Sequence, residues 1–143
     1  MSVIIGQKIL HYPKVNSTNE TMASLLAEER PPEGTVITAD EQENGKGYQG
    51  NYWESDPGKN LTFSLLLYPE VVPPEEVFSL SKAVALGIAE YLSTIFREVK
   101  VKWPNDVYIQ DDKIAGILIE NSLTGNKIDY SIIGIGLNVN QTV

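Results

Sequence analysis

The sequence predicts an α+β fold, a mixed and largely antiparallel sheet with helices packed on it. Three observations predict it. Apolar runs of strand length recur along the chain, several of them separated only by tight turns, as in hairpins. Two longer segments carry apolar residues at helical spacing. Strands and helices do not alternate regularly, as a doubly wound parallel sheet requires. The 143 residues suit one domain with a working core.

Residues 8–12 read as a short strand. Ser17 opens a helix to about Glu29: Ser17 and Glu20 form a capping box, and Met22, Leu25 and Leu26 supply its apolar face. Pro31-Pro32-Glu33-Gly34 ends that helix, and Thr35–Ala39 is a strand. Residues 43–60 hold Gly45, Gly47, Gly50, Pro57 and Gly58 and read as a long loop, a length that is usually functional or disordered. Leu61–Leu67 is an apolar run of strand length. Pro73-Pro74-Glu75-Glu76 starts the second helix, with Val77, Leu80, Val84, Ile88, Tyr91 and Ile95 predicted as its buried stripe. Val99–Trp103 and Val107–Ile109 are short strands parted by Pro104. A turn at Gln110–Asp112 leads into a strand over Lys113–Glu120, and Gly125-Asn126 turns the chain into a last strand over Tyr130–Ile135.

Composition narrows the function. No apolar stretch approaches the roughly 18 residues that span a membrane. The N-terminus lacks the apolar core and cleavage site of a signal peptide. The absence of cysteine excludes disulfide and thiol chemistry and fits the cytoplasm. A single histidine argues against a His-based metal site. The net charge of −8 argues against broad nucleic-acid binding, so an anionic ligand requires a local concentration of lysines.

Four segments have the residue types for chemistry, and each also has a plain structural reading. Gly45-Lys46-Gly47-Tyr48-Gln49-Gly50 offers backbone N–H groups and one charge to an anion; its glycines fit a flexible surface loop as well. It has neither the spacing of a P-loop nor the helix that follows a dinucleotide fingerprint. Lys102-Trp103-Pro104-Asn105-Asp106 breaks a strand at Pro104 and places an amide and a carboxylate there, suited to Mg²⁺ and a phosphate or to an ordinary turn. Lys113 enters a strand in which Gly116 marks a bulge or a close ligand approach; a solvated hairpin lysine is the alternative. Gly134-Ile135-Gly136-Leu137-Asn138-Val139-Asn140 permits close packing or a ligand at a strand end. Ser17-Thr18-Asn19 and Gln42 add polar groups, and Trp53 is a core anchor or a stacking face.

Taken in order, these segments resemble the catalytic domain of bacterial biotin–protein ligases, from about residue 8 to the end. The most specific part is Lys-Trp-Pro-Asn-Asp followed by Lys113-Ile-Ala-Gly-Ile-Leu. The resemblance implies a sheet related to the class II aminoacyl-tRNA synthetase catalytic domain. It implies that biotin and ATP are converted to biotinoyl-AMP, with Mg²⁺, and that biotin passes to a lysine of a biotin carboxyl carrier protein, as in acetyl-CoA carboxylase. By family role Ser17, Thr18, Asn19, Gln42, Gly45, Lys46, Gly47 and Gly116 line the biotin site. Tyr48, Trp53, Asn105 and Asn138 face the nucleotide, Asp106 supports a metal, and Lys113 touches the reacting carboxylate and α-phosphate. Three departures stand out. The family loop commonly reads Gly-Arg-Gly-Arg-Arg-Gly, and Tyr48 and Gln49 here lose two charges. No DNA-binding domain is expected before the catalytic segment. No C-terminal β-barrel is expected after it, so the domain is read as incomplete, with a homodimer as an expected mode of association. A lipoate–protein ligase or octanoyltransferase of the same fold, and a non-catalytic ligand-binding fragment, are the competing readings.

Overall fold

The computed structural model describes residues 4–47 and 57–139. In chain order the elements are β1 (Ile9–Val15), α1 (Thr18–Glu28), β2 (Val36–Gln42), β3 (Leu61–Leu67), a 3-10 turn (Pro74–Glu76), α2 (Phe78–Ser93), β4 (Val99–Lys102), β5 (Asp106–Ile109), β6 (Asp112–Thr124) and β7 (Lys127–Leu137). The strands form one sheet in the order β1-β2-β3-β7-β6-β5-β4. β1 and β2 are parallel and joined through α1. The other neighbours are antiparallel, so the mixed, largely antiparallel sheet is as the sequence predicts.

Successive residues of each strand face opposite sides of the sheet, and each side has its own helix. Met22 of α1 meets Ile37, Leu66 and Ile132 on one face. Ala85 of α2, with Leu80, Val84 and Ile88 beside it, meets Val36, Leu65, Ile117, Ile133 and Ile135 on the other. The alternation is plainest in the neighbours Ile132 and Ile133, which are both buried but belong to opposite layers.

Several boundaries differ from the sequence reading. β1 continues to Val15 because it pairs with β2 as far as Val15 opposite Gln42. Pro13 is tolerated because β1 is an edge strand. β6 and β7 are longer than predicted because their hairpin pairs down to Thr124 opposite Lys127, with a register shift at Ser122/Leu123. Ser17 caps α1 by accepting the Glu20 N–H at 3.1 Å, but Glu20 does not return the bond; its carboxylate accepts from Asn16 Nδ2 instead. On α2 the buried centre is Ala85 and Leu92, which turns Tyr91 out to 63% exposure, and Ile95 lies past the helix end at 60%.

Candidate functional site

The cavity lies on the α1 face, where the strands stop presenting large side chains. Thr62 of β3 stands opposite Gly136 of β7, Gly136 opposite Gly116 of β6, and Gly116 opposite Asp106 of β5. A parallel row runs Ser64, Gly134, Leu118. Two consecutive glycines in the first row leave bare backbone as the floor of a trough across four strands. Its walls come from Ser17, Thr18 and Asn19 at the start of α1, from Gln42, Lys46 and Gly47 after β2, and from Pro104, Asn105, Asp106 and Lys113 at the far end; the cavity measures about 220 Å³.

Each wall is held by specific bonds. The Oε1 of Gln42 accepts the Thr18 N–H at 2.7 Å, fixing the amide and leaving its NH₂ as donor. Asn19 is 5% exposed, and its Nδ2 donates to Leu118 O at 3.4 Å and Glu120 Oε1 at 3.0 Å. Its Oδ1 lies 2.5 Å from Ser64 Oγ, which is also 2.7 Å from Thr18 Oγ1. Gly134 is glycine for this reason: a Cβ there would sit 2.5 Å from Asn19 Oδ1. At the other end Asn105 Nδ2 donates to Ile117 O at 2.8 Å and its carbonyl accepts the Ile117 N–H at 3.0 Å, so the turn after β4 is laced to β6. The Trp103–Pro104 peptide in that turn is cis.

Two lysines reach the cavity, and both meet carboxylates. Lys113 Nζ is 2.9 Å from Asp106 Oδ1. Lys46 Nζ is 3.8 Å from Glu120 Oε2. Both pairs are partly solvated, a setting in which an ion pair contributes about 1 kcal/mol or less, so an anionic ligand displaces either carboxylate at small cost. An acidic chain thus sets a lysine at each end of one trough.

The structure brings Ser17, Thr18, Asn19, Gln42, Lys46, Gly47, Asn105, Asp106, Lys113 and Gly116 to the cavity. Gly45 is buried and does not line the cavity. Asn138 lies just beyond it, with its N–H on Ile114 O at 2.8 Å and its Nδ2 on Lys113 O at 3.2 Å, so it ties the end of β7 to the backbone that carries Lys113. Tyr48 and Trp53 lie outside the described residues. The sequence reading missed Thr62, Ser64 and the pairing of Gly134 with Asn19. The signal was present: Thr62 and Ser64 are two polar residues at period two inside the apolar run Leu61–Leu67.

The model of the biotin/lipoate A/B protein ligase family matches residues 12–138. The chain belongs to this family. Among curated members it is similar to the bifunctional ligase/repressor BirA of Bacillus subtilis, 36% identical over 141 residues covering 96% of this chain and 42% of that protein. It is 35% identical to BirA of Escherichia coli over 139 residues, again 96% of this chain and 42% of the relative. The biotin protein ligase of Aquifex aeolicus, solved with biotin and ATP, superposes with a TM-score of 0.78 at 36% identity, covering 96% of this chain and 54% of that one. The chain thus spans about two fifths of the length of these two BirA proteins.

Proposed function

We propose that this chain is the catalytic domain of a biotin–protein ligase, joining biotin to ATP as biotinoyl-AMP and passing biotin to a lysine of a carboxyl carrier protein. The observation that carries the proposal is the trough itself, with hydrogen-bonding polar groups at one end and Lys113 with Asp106 and Asn105 at the other. The biotin-named relatives, aligned over nearly the whole chain, support the choice of biotin over lipoate.

The chemistry follows from charge. The biotin carboxylate attacks the α-phosphate, so two anions must approach one another. Lys113 lies where it can turn from Asp106 to the reacting oxygens and offset their repulsion as pyrophosphate leaves. Lys46, at the opening from β2, adds a second positive charge once Glu120 is displaced. Gly116 and Gly136 let a flat chain lie against the sheet, aligning the acid with the nucleotide. Asp106 is the carboxylate among the described residues that line the cavity. That donor set fits Mg²⁺ arriving with the nucleotide, since Mg²⁺ typically takes one or two protein carboxylates and fills its shell with phosphate oxygens and water. Mg²⁺ held there by Asp106 would supply charge neutralisation to the phosphates. In the second step a neutral carrier lysine amine attacks the acyl carbon of the mixed anhydride, an amide forms, the acyl–phosphate bond breaks, and AMP leaves as the amine gives up a proton to water.

None of the described helices is long and apolar enough to cross a membrane. A cytoplasmic setting is part of the proposal, and the cysteine-free sequence supports it. The test of function is pyrophosphate release with ATP and each of biotin, lipoate and octanoate, followed by transfer to a carrier domain. Biotin-dependent release with little from the other two acids is expected. Equal release with lipoate would turn the proposal to the lipoate branch of the family, and no acid-dependent release would overturn ligase activity for this chain.

A further inference from the structure

The buried hydroxyls beside the trough have a fixed direction, and the direction follows from counting protons. Both hydrogens of Asn19 Nδ2 point at acceptors, Leu118 O and Glu120 Oε1, so the amide orientation is settled and Oδ1 faces Ser64. A carboxamide oxygen only accepts. At 2.5 Å, Ser64 must therefore give its one proton to Asn19. Thr18 Oγ1, 2.7 Å from Ser64 Oγ, then has to donate to it, because two lone pairs at that distance repel. Ser64 is fully buried, so no water competes with Asn19 for its proton.

Thr18 Oγ1 has thus spent its proton inward and shows the cavity lone pairs alone. Next to it Gln42, whose Oε1 is held by the Thr18 N–H, has only its NH₂ to offer. An acceptor beside a donor matches the N–H and C=O edge of an amide or cyclic urea and mismatches a head group without N–H. We propose that Ser64 is the specificity-determining positioning residue of this site: through Asn19 it fixes the Thr18 hydroxyl as an acceptor, so that only an acid whose head group donates an N–H is held. The inference rests on the reading of the trough as the biotin site, and it assigns the selection to a residue that never touches the ligand.

The test is equilibrium binding of biotin and lipoate to the parent chain and to Ser64→Ala. Lipoate has the acid tail and no N–H. In Ser64→Ala the Thr18 proton is released and can swing toward the cavity, so biotin affinity should fall by about tenfold or more while lipoate affinity stays within about twofold. With both substrates at saturation, kcat for adenylate formation should stay near the parent value, because Lys113 and Asp106 are untouched. Parallel losses for the two acids would show a purely structural role and overturn the proposal. A second readout needs no ligand. In the free chain the Ser64 hydroxyl proton should be protected from exchange in NMR spectra and lose that protection in Asn19→Ala. A Ser64 hydroxyl that exchanges at solvent rates in the parent would overturn the proposed direction, even if biotin binds. A parent that binds neither acid, with a protected Ser64 proton, would instead overturn the assignment of the trough to biotin.

Discussion

Gly134→Ala tests the packing on which the polar end of the trough depends. An added Cβ would lie 2.5, 3.0 and 3.1 Å from the Oδ1, Cγ and Nδ2 of Asn19. Restoring ordinary contact requires the carboxamide to retreat by about 0.9 Å. Asn19 cannot do so while holding Ser64 at 2.5 Å and Glu120 at 3.0 Å. Losing the buried bond to Ser64 costs about 1–3 kcal/mol, and losing the one to the half-exposed Glu120 about 1 kcal/mol. Replacing glycine by alanine in a strand returns about 0.5–1 kcal/mol of backbone entropy. The net expectation is a destabilisation of about 1–3 kcal/mol, read as a fall of about 0.5–1.5 M in the urea midpoint with unchanged slope. In an Asn19→Ala background the carboxamide is gone, so the same substitution should cost little, and the double-mutant cycle should show a coupling above about 1 kcal/mol. A Gly134→Ala chain as stable as the parent, or one equally destabilised in both backgrounds, would refute the reasoning.

Other outcomes follow from the same structure. Lys113→Ala should slow biotinoyl-AMP formation by about two to three decades, with circular dichroism unchanged, as measured by pyrophosphate release. Asp106→Asn should weaken ATP use far more than biotin binding; calorimetry showing equal losses would mark Asp106 as a structural turn residue. Gly34→Ala should destabilise by about 1–3 kcal/mol in thermal unfolding, because Gly34 has φ 88° and its Cβ would lie 2.5 Å from Ile4 O. Tyr68, whose phenol donates to Pro31 O, is raised above its ordinary 10.0 chiefly by burial. Its folded value exceeds the unfolded one, so its contribution is full below pH 10 and is lost as pH rises through the folded value. Tyr68→Phe should therefore flatten the alkaline limb of a stability–pH curve.

What the sequence disclosed was local. Leu61–Leu67 and the turn at Gly125-Asn126 are where periodicity and turn residues placed them. Strand lengths were less legible, since β1 and β7 extend only because a partner strand is there to pair with. The α2 stripe misled at Tyr91 because an aromatic at helical spacing reads as core, whereas the small Ala85 is what allows the helix to approach the sheet closely. At the site, Lys113, Asn105 and Gln42 could be picked out as residue types, but their partners could not. Asp106 beside Lys113 and Glu120 beside Lys46 are pairings made by register and loop placement. Gly134 could be suspected of a close approach, but only the fold shows that the approaching group is Asn19.

The trough joins distant parts of the chain. Asn19 meets Leu118 across 99 residues and Glu120 across 101, and Arg30 reaches Asp129 across 99. One wall belongs to the first third of the chain and the other to the last, and the sheet is completed where β3 pairs with β7. Contacts of such separation form late and slowly, because the loops between them must close first. Binding competence therefore arrives only when segments about 100 residues apart have met. A ligand that spans the trough then acts as a clasp on the finished topology: it has nothing to grip in a half-folded chain, and its full binding energy opposes the parting of β3 from β7.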